Sequence, residues 1–270
     1  MALRINLNTA ALNAHRQLQS TDQALGLSIE RLSSGFRINR ASDDPAGLAI
    51  SENLRAQVSG LGQAISNSSD AVNLIKTAEG ALSEVNNLLR TMRNLAVHAG
   101  NATNDNTALA ADQAQVSASL TALDRIATNT QFGTKVLLDG TATGLVFQVG
   151  ANANQTTTVN IGSIKASDLS IASIDVSTGA TAAITALDTA ISTVSTLRAN
   201  LGAMQRDLES NIASLGTSKE NIAASESSIR DLDMAAEMVT FTRNQILLQA
   251  GMAMITQANA APQALLQLLR

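Results

Sequence analysis

The stretch RLSSGFRINRASDDPAGLAISENL, residues 31–54, ends one helical pattern and begins another. Ser33-Ser34-Gly35 is a helix stop signal, and Asp43-Asp44-Pro45 is a helix start signal. A carboxylate there can cap free backbone N–H groups, and Pro suits the first helical position. The density of Arg and Asp between the two signals predicts a specified joint between two helices. The alternative is a solvated loop that ends in a helix cap.

Apolar residues recur at alternating steps of three and four on both sides of this stretch, which predicts helices that pack as coiled coils. An ordinary helical bundle is the alternative. Five runs follow the pattern: Ala11, Ala14, Leu18, Thr21, Leu25, Ser28 and Leu32; Ile75, Ala78, Leu82, Val85, Leu89, Met92, Ala96 and Ala99; Val116, Leu120, Leu123 and Ala127; Leu187, Ala190, Val194, Leu197, Leu201, Met204, Leu208, Asn211 and Leu215; and Met234, Met238, Phe241, Gln245, Leu248, Met252 and Ile255.

The middle of the chain, about residues 131–180, is rich in Thr, Gly, Asn and Val. Alternating or β-branched runs predict strands at 134–138, 144–149 and 156–161, and residues 162–180 are predicted to be mostly loop. The fold class is therefore mainly α, a long antiparallel helical coiled-coil bundle with a small β-hairpin region. Since the chain goes out and returns, its first and last helices are predicted to be neighbours.

Composition narrows the class of protein. Of the 270 residues 45% are hydrophobic but only 1% are aromatic, so the core must be built from aliphatic side chains and Met. Cys is absent, which excludes disulfides, and the net charge of −4 comes without the Lys/Arg run of a nucleic-acid interface. No secretory signal peptide is expected at the N-terminus. Residues 244–269 lack charge, but five Gln residues interrupt them, so no membrane span is predicted.

The sequence offers no convincing catalytic, cofactor or metal site. His15 and His98 have no nearby Cys or carboxylate cluster of the kind that binds zinc. The adjacent acids Asp43 and Asp44 precede Pro and are better explained as a helix cap than as catalytic groups. A non-enzymatic protein without cofactors is therefore predicted.

The two terminal arms are polar and Ala-rich, and each has few partners. An isolated amphipathic helix is marginal in water, so we predict that both arms are largely unfolded in the free subunit and fold on assembly. The side chains predicted to pack the arms together are Leu18, Leu25, Leu32, Phe241, Leu248 and Ile255.

Several motifs in order make the chain resemble a bacterial flagellin essentially from end to end. They are Ile5-Asn6-Leu7-Asn8, Leu32-Ser33-Ser34-Gly35, Arg37-Ile38-Asn39, Asp43-Asp44, Gly47-Leu48-Ala49-Ile50, Asn129-Thr130-Gln131-Phe132, Phe147-Gln148-Val149-Gly150-Ala151-Asn152, Ser228-Ile229-Arg230-Asp231-Leu232-Asp233-Met234-Ala235, Gln245-Ile246-Leu247-Leu248-Gln249-Ala250-Gly251 and Leu268-Leu269-Arg270. Only about 20 residues lie between the β region and the returning helix, as in a minimal flagellin.

This resemblance implies a helical homopolymer, the extracellular flagellar filament used for swimming. Residues 1–43 and 231–270 would form the inner D0 arms, and residues 44–230 the outer D1 bundle. Its implied partners are further copies of itself, the flagellar type III export apparatus, a flagellin chaperone, and the filament cap and hook-junction proteins. Charges in the joint would then pair between subunits and orient D0 against D1. The charged candidates are Arg37, Arg40, Asp43 and Asp44, and Phe36 is a further subunit-interface candidate at the joint.

Many flagellins are recognised by the innate immune receptor TLR5 through a Gln-Arg-x-Arg-Glu-Leu pattern. The matching stretch contains Arg90, Thr91, Arg93, Asn94 and Leu95. Thr91 replaces an Arg and cannot make its bidentate contacts, and Asn94 replaces a Glu. The sequence therefore predicts weak recognition.

Two other classes remain alternatives to a filament subunit. A hook–filament junction protein resembles flagellin at both ends, although the joint and residues 230–235 favour flagellin itself. A secreted coiled-coil adhesin would have independently folded ends and would not polymerise.

Overall fold

The structure, a computed structural model, describes the backbone of residues 8–268 and the side chains of residues 8–260. The motif residues Ile5, Asn6, Leu7, Leu269 and Arg270 lie outside the described residues. In chain order the elements are α1 (Thr9–Ser34), α2 (Pro45–Ala99), α3 (Asn106–Asn129), β1 (Gln131–Phe132), β2 (Lys135–Val136), β3 (Leu145–Gln148), β4 (Thr156–Val159), α4 (Ala180–Arg230) and α5 (Met234–Leu268). This confirms the predicted mainly α class with a small β region.

The chain forms two compact units. One is continuous, Gln57–Glu220, and the other combines Met1–Ala56 with Asn221–Arg270. Both units contain parts of the long helices α2 and α4. The division into D0 and D1 at 43/44 and 230/231 stays a prediction.

The core of the continuous unit follows the predicted apolar stripe of α2. All eight residues of that run are buried: Ile75, Ala78, Leu82, Val85, Leu89, Met92, Ala96 and Ala99. Helix α4 runs antiparallel to α2, as two ion pairs along their length show. Arg93 contacts Asp188 at 2.5 Å, whereas Arg198 contacts Glu79 at 3.6 Å. Helices of this length are stabilised mainly by burial of such a stripe and not by intrinsic propensity.

The β region consists of two separate antiparallel pairs. Strand β1 pairs with β2, and β3 pairs with β4 in the register Leu145↔Val159 to Gln148↔Thr156. The predicted strand at 134–138 is reduced to the two residues of β2, and β1 was not predicted. Two helices hold the end of β3: Asn67 of α2 donates to the Gln148 carbonyl at 3.1 Å, and Asn211 of α4 donates to the Val149 carbonyl at 3.1 Å.

The predicted loop at 162–180 has no regular secondary structure, yet it supplies much of the core. Its buried residues are Ile164, Ala166, Leu169, Ile171, Ile174 and Val176. Side chains of α3 fix its backbone: Gln113 bonds to the Ile174 carbonyl and to the Val176 amide at 3.0 and 2.8 Å. The alternating polar and apolar residues therefore form an ordered covering layer without strand pairing.

A turn before α4 provides a pH-dependent marker for this layer. The Asp175 carboxylate accepts hydrogen bonds from the Ser177 and Thr178 hydroxyls at 2.6 and 2.7 Å, which lowers its pKa from 3.8 to about 2. A lowered folded-state pKa stabilises the fold above the unfolded-state value. We expect this contribution to be present above about pH 4 and lost as the pH falls through about 2. In an NMR titration the Ser177 amide should respond near pH 2, and a midpoint near 3.8 would contradict the assignment.

Candidate functional site

Helices α1 and α5 form an antiparallel pair in the discontinuous unit. The Asn8 side chain donates to the Ala258 carbonyl at 2.8 Å at one end, and Phe36 forms a β-bridge with Asp231 at the other. The face of α1 turned away from solvent is the predicted run from Ala11 to Leu32. Within α1, however, the only buried residues are Thr21 and Ser28. The pair therefore lacks a deep core.

The predicted packing face of α5 is wrong at four of its seven positions. The less exposed residues of the helix are Glu237, Thr240, Phe241, Asn244, Leu248, Gly251, Ile255 and Ala258. Met234, Met238, Gln245 and Met252 are exposed instead. The reason is close approach of the two helices: a Cβ added at Gly251 would lie 2.8 Å from Cδ1 of Leu18. At Gly251 a side chain could be added only if Leu18 moved.

The six predicted arm-packing residues all lie on the less exposed faces of the two helices. They are Leu18, Leu25 and Leu32 on α1, and Phe241, Leu248 and Ile255 on α5. Each remains only half-buried within the chain. Leu18 lies against α5 at Gly251, and all six leave apolar area accessible to further protein.

The remaining surface of α5 is strongly apolar. Its exposed large side chains are Met234, Met238, Val239, Ile246, Leu247, Met252 and Met254. A shallow groove of about 500 Å³ lies among Met238, Val239, Thr242, Arg243, Ile246 and Leu247. Large exposed apolar surface marks an interaction site in soluble proteins. We call the exposed residues from Met234 to Met254 the α5 apolar face.

The joint between α1 and α2 is tied to the connection between α4 and α5 by backbone hydrogen bonds. The Arg37 amide donates to the Arg230 carbonyl at 2.7 Å, and the Leu232 amide donates to the Gly35 carbonyl at 3.0 Å. Gly35 closes α1 in the left-handed conformation, with φ of 75°, which confirms the predicted helix stop. The prediction that the returning chain passes the joint near residues 225–234 is also confirmed.

Side chains reinforce this crossing. The Arg230 guanidinium lies 4.7 Å from the centre of the Phe36 ring and 2.8 Å from Oε1 of Glu52. Its hydrogen bond holds the pKa of the Glu52 carboxyl below its usual value. The Arg37 guanidinium donates to the Ile229 carbonyl. We call the group Phe36, Arg37, Glu52 and Arg230 the joint clasp.

The other charged candidates of the joint are engaged within the chain. Asp44 caps α2 by accepting from the Gly47 amide at 2.8 Å, which confirms the predicted helix start. Asp43 accepts from the backbone amides of Arg40 and Asn39, and these bonds lower its pKa. The Arg40 side chain pairs with Glu30 at 2.7 Å while remaining 70% exposed. Pairing of these charges between subunits stays a prediction.

Sequence reasoning missed three residues that shape the joint. Ile38 is buried to 1% exposure, and Gly47 lies so close that an added Cβ would be 2.8 Å from Cδ1 of Ile38. The role of Glu52 as partner of Arg230 was not predicted either. The signal available for Ile38 was its position as the one apolar residue among the polar residues 37–40. No local pattern indicated that Glu52 would pair with Arg230, 178 residues away.

Within the described part of the chain, no group of His, Cys, Asp and Glu side chains could hold a metal ion. His15 is exposed, and His98 pairs with Asp112 at 2.7 Å. Among the helices that were described, none is long and apolar enough to cross a membrane. The apolar surface of α5 and the joint clasp are therefore the candidate functional features of the described residues.

Two models of known protein families match the N-terminal and the C-terminal parts of the chain. The bacterial flagellin N-terminal helical region matches residues 5–143, and the bacterial flagellin C-terminal helical region matches residues 184–269. The chain belongs to the bacterial flagellin family. It is a structural subunit of the flagellar filament.

Two curated relatives extend the match over the whole length. A flagellin of Halalkalibacterium halodurans is 47% identical, with 98% of this chain and 99% of the relative covered. A flagellin of Bacillus subtilis is also 47% identical, with 99% of this chain and 100% of the relative covered. Both are flagellins, which supports the filament subunit over the hook–filament junction protein and the adhesin. The crystal structure of Bacillus cereus flagellin is similar at 28% identity with a TM-score of 0.52, covering 60% of this chain and 94% of that one.

The stretch of this flagellin that matches the immune-receptor pattern lies on α2. Arg90, Thr91 and Asn94 are exposed, and Leu95 is half-buried. Arg93 is held by Asp188, which accepts from its Nε at 2.5 Å and its Nη2 at 3.4 Å. This pair raises the pKa of Arg93 and lowers that of Asp188. The guanidinium of Arg93 is therefore already paired within the chain.

Replacing Arg40 by alanine should weaken polymerisation of this flagellin while leaving the bundle folded. The Arg40–Glu30 pair is exposed, so its loss should cost less than about 1 kcal/mol of stability. Filament yield from seeds and thermal unfolding of the free subunit measure the two effects separately. Glu30→Ala is the matched control, because it breaks the same pair and keeps Arg40. Equal loss of filament by both variants, or by neither, would contradict a role for Arg40 between subunits.

Proposed function

We propose that α1 and α5 are the segments through which copies of this flagellin associate in the filament, and that they fold when a subunit joins it. The observation that carries the proposal is the α5 apolar face. Val239 and Ile246 are each 60% exposed and Leu247 is 50% exposed in the single chain. A helix that is apolar around most of its circumference is normally buried on several sides. Further copies of the same chain are the partners that a homopolymer supplies.

The energetics favour folding that is coupled to assembly. Ordering one residue costs about 1–2 kcal/mol of backbone entropy, and this cost must be offset by buried area. Within one chain the only buried residues of α1 are Thr21 and Ser28, so little of that cost is recovered. In a polymer, contact with neighbouring arms would recover more of it. Growth then depends on an existing filament end, where the arms of earlier subunits are already folded.

Membership of the flagellin family supports the following proposed layers and partners. Residues 1–43 and 231–270 would form the inner D0 layer, and residues 44–230 the outer D1 layer. Contacts of unlike surfaces repeated by a screw operation do not close, so they build a filament. Before assembly, the α5 apolar face would need cover from a flagellin chaperone. The remaining proposed partners are the flagellar type III export apparatus, the filament cap and hook-junction proteins, and TLR5, which we expect to bind weakly.

Hydrogen exchange on free subunits and on filaments tests this proposal. Amides of α1 and α5 should exchange rapidly in the free subunit and become protected in the filament. Amides around Leu82 and Leu89 in the core of α2 serve as the internal control and should be protected in both states. Strong protection of residues 9–30 in the free subunit would overturn the coupling of folding to assembly.

A further inference from the structure

The sulfur-containing residues are distributed very unevenly over this chain. The sequence contains seven Met and no Cys. Four of the Met residues lie on α5 within 21 positions, and all are exposed: Met234 at 47%, Met238 at 48%, Met252 at 49% and Met254 at 64%. Met92, in contrast, is fully buried in the core of the bundle at 0% exposure. The thioethers most accessible to solvent among the described side chains therefore coincide with the α5 apolar face.

We propose that Met234, Met238, Met252 and Met254 are an oxidation site that excludes damaged subunits from the growing filament. The proposal rests on the proposed role of α5 in self-association. The oxidant is a peroxide. Its terminal oxygen is transferred to the thioether sulfur, so that an S–O bond forms, the O–O bond breaks and water leaves when the peroxide is hydrogen peroxide. Sulfur is oxidised by two electrons and the peroxide is reduced by two.

The chemical change acts against the contact that α5 must make. A thioether is apolar and adapts to irregular surfaces, whereas a sulfoxide is polar and chiral. Burying a polar group without a hydrogen-bond partner is unfavourable. Met238 lines the same α5 surface as the apolar side chains of Val239, Ile246 and Leu247, and the other three methionines are exposed on the same helix. A sulfoxide at this face therefore disfavours joining the filament and leaves the folded bundle intact.

The site also distinguishes free subunits from assembled ones. If neighbouring copies cover the α5 apolar face, peroxide reaches these sulfur atoms before assembly and not after it. Because sulfoxide formation is reversible by dedicated reductases, an excluded subunit can be restored. Met92 provides an internal reference, since its burial does not depend on assembly.

The test treats full-length free subunits and intact filaments with hydrogen peroxide and locates sulfoxides by peptide mass spectrometry. In free subunits the four α5 methionines should oxidise before Met92. After peroxide removal, seeded polymerisation should show a critical concentration raised about tenfold or more, equivalent to about 1.4 kcal/mol. The variant with Met234→Leu, Met238→Leu, Met252→Leu and Met254→Leu is compared with its own untreated sample, and peroxide should leave its critical concentration, whatever the untreated value, unchanged. Methionine sulfoxide reductases should restore assembly of the oxidised native chain.

The outcomes separate this inference from the proposed function. Normal polymerisation of subunits oxidised at all four positions would overturn the inference, while protection of the same residues in filaments would still support the role of α5. Equal oxidation rates in filaments and in free subunits would overturn the proposed cover of α5 itself. If the four-leucine variant does not assemble even without peroxide, the reductase treatment of the oxidised native chain tests the inference instead. Failure of that chain to regain assembly after its sulfoxides are fully reduced would count against the inference.

Discussion

Replacing Leu89 by alanine is expected to destabilise the bundle by about 2–5 kcal/mol, because it leaves a cavity in a core that cannot collapse fully. Leu89 is 0% exposed and occupies the centre of the α2 stripe, between Val85 and Met92. Native domains are stable by only about 5–15 kcal/mol, so this loss is a large part of the total. Urea denaturation monitored by circular dichroism should show a clearly lower midpoint for the variant.

Val97→Ala is the matched control for this experiment. Val97 lies on the same helix, eight residues further along, and is 50% exposed. Surface substitutions of this kind usually change stability by less than about 0.5 kcal/mol. A midpoint for Leu89→Ala equal to that of Val97→Ala would show that the α2 stripe does not form the core.

Replacing Leu247 by aspartate is expected to abolish filament formation. Leu247 is 50% exposed in the chain and lies on the α5 apolar face, where the proposed function places a neighbouring copy. Removing a carboxylate from water without a partner costs several kcal/mol. A loss of about 2.7 kcal/mol already raises the critical concentration about a hundredfold. Electron microscopy and sedimentation after seeding should therefore detect no filaments at concentrations that suffice for the native chain.

The stability of the isolated subunit should not change with this substitution. Since Leu247 contributes little to the core of the single chain, the unfolding transition of the bundle should be unaltered. Leu247→Met, which conserves volume and apolar character, is the control and should assemble normally. Filaments of native yield from Leu247→Asp would refute the assignment of this surface to self-association.

The sequence predicted the bundle well because heptad spacing is a local signal. Every residue of the α2 run is buried, and the predicted face of α1 is the one that packs. A repeat of three and four places side chains on one stripe whatever the partner is. The helix stop at Gly35 and the cap at Asp44 were predictable for the same reason, since both depend on a few adjacent residues.

The features that were missed depend on partners distant in sequence. In α5 the methionines suggested a face that the structure exposes, because the true contact at Gly251 is set by the approach of Leu18. The loop at 162–180 reads as polar, yet Gln113 of α3 orders it and its aliphatic residues enter the core. The pairing of Glu52 with Arg230 likewise arises only after the chain has doubled back.

The backbone crossing at the joint has a mechanical consequence for a filament that is driven in rotation. The Arg37 amide bonds to the Arg230 carbonyl, and the Leu232 amide bonds to the Gly35 carbonyl. A tensile load on α1 is therefore shared with the connection between α4 and α5. A load on that connection is likewise shared with α1. The two connections bear force as a parallel pair, so neither peptide linker has to carry the full load alone.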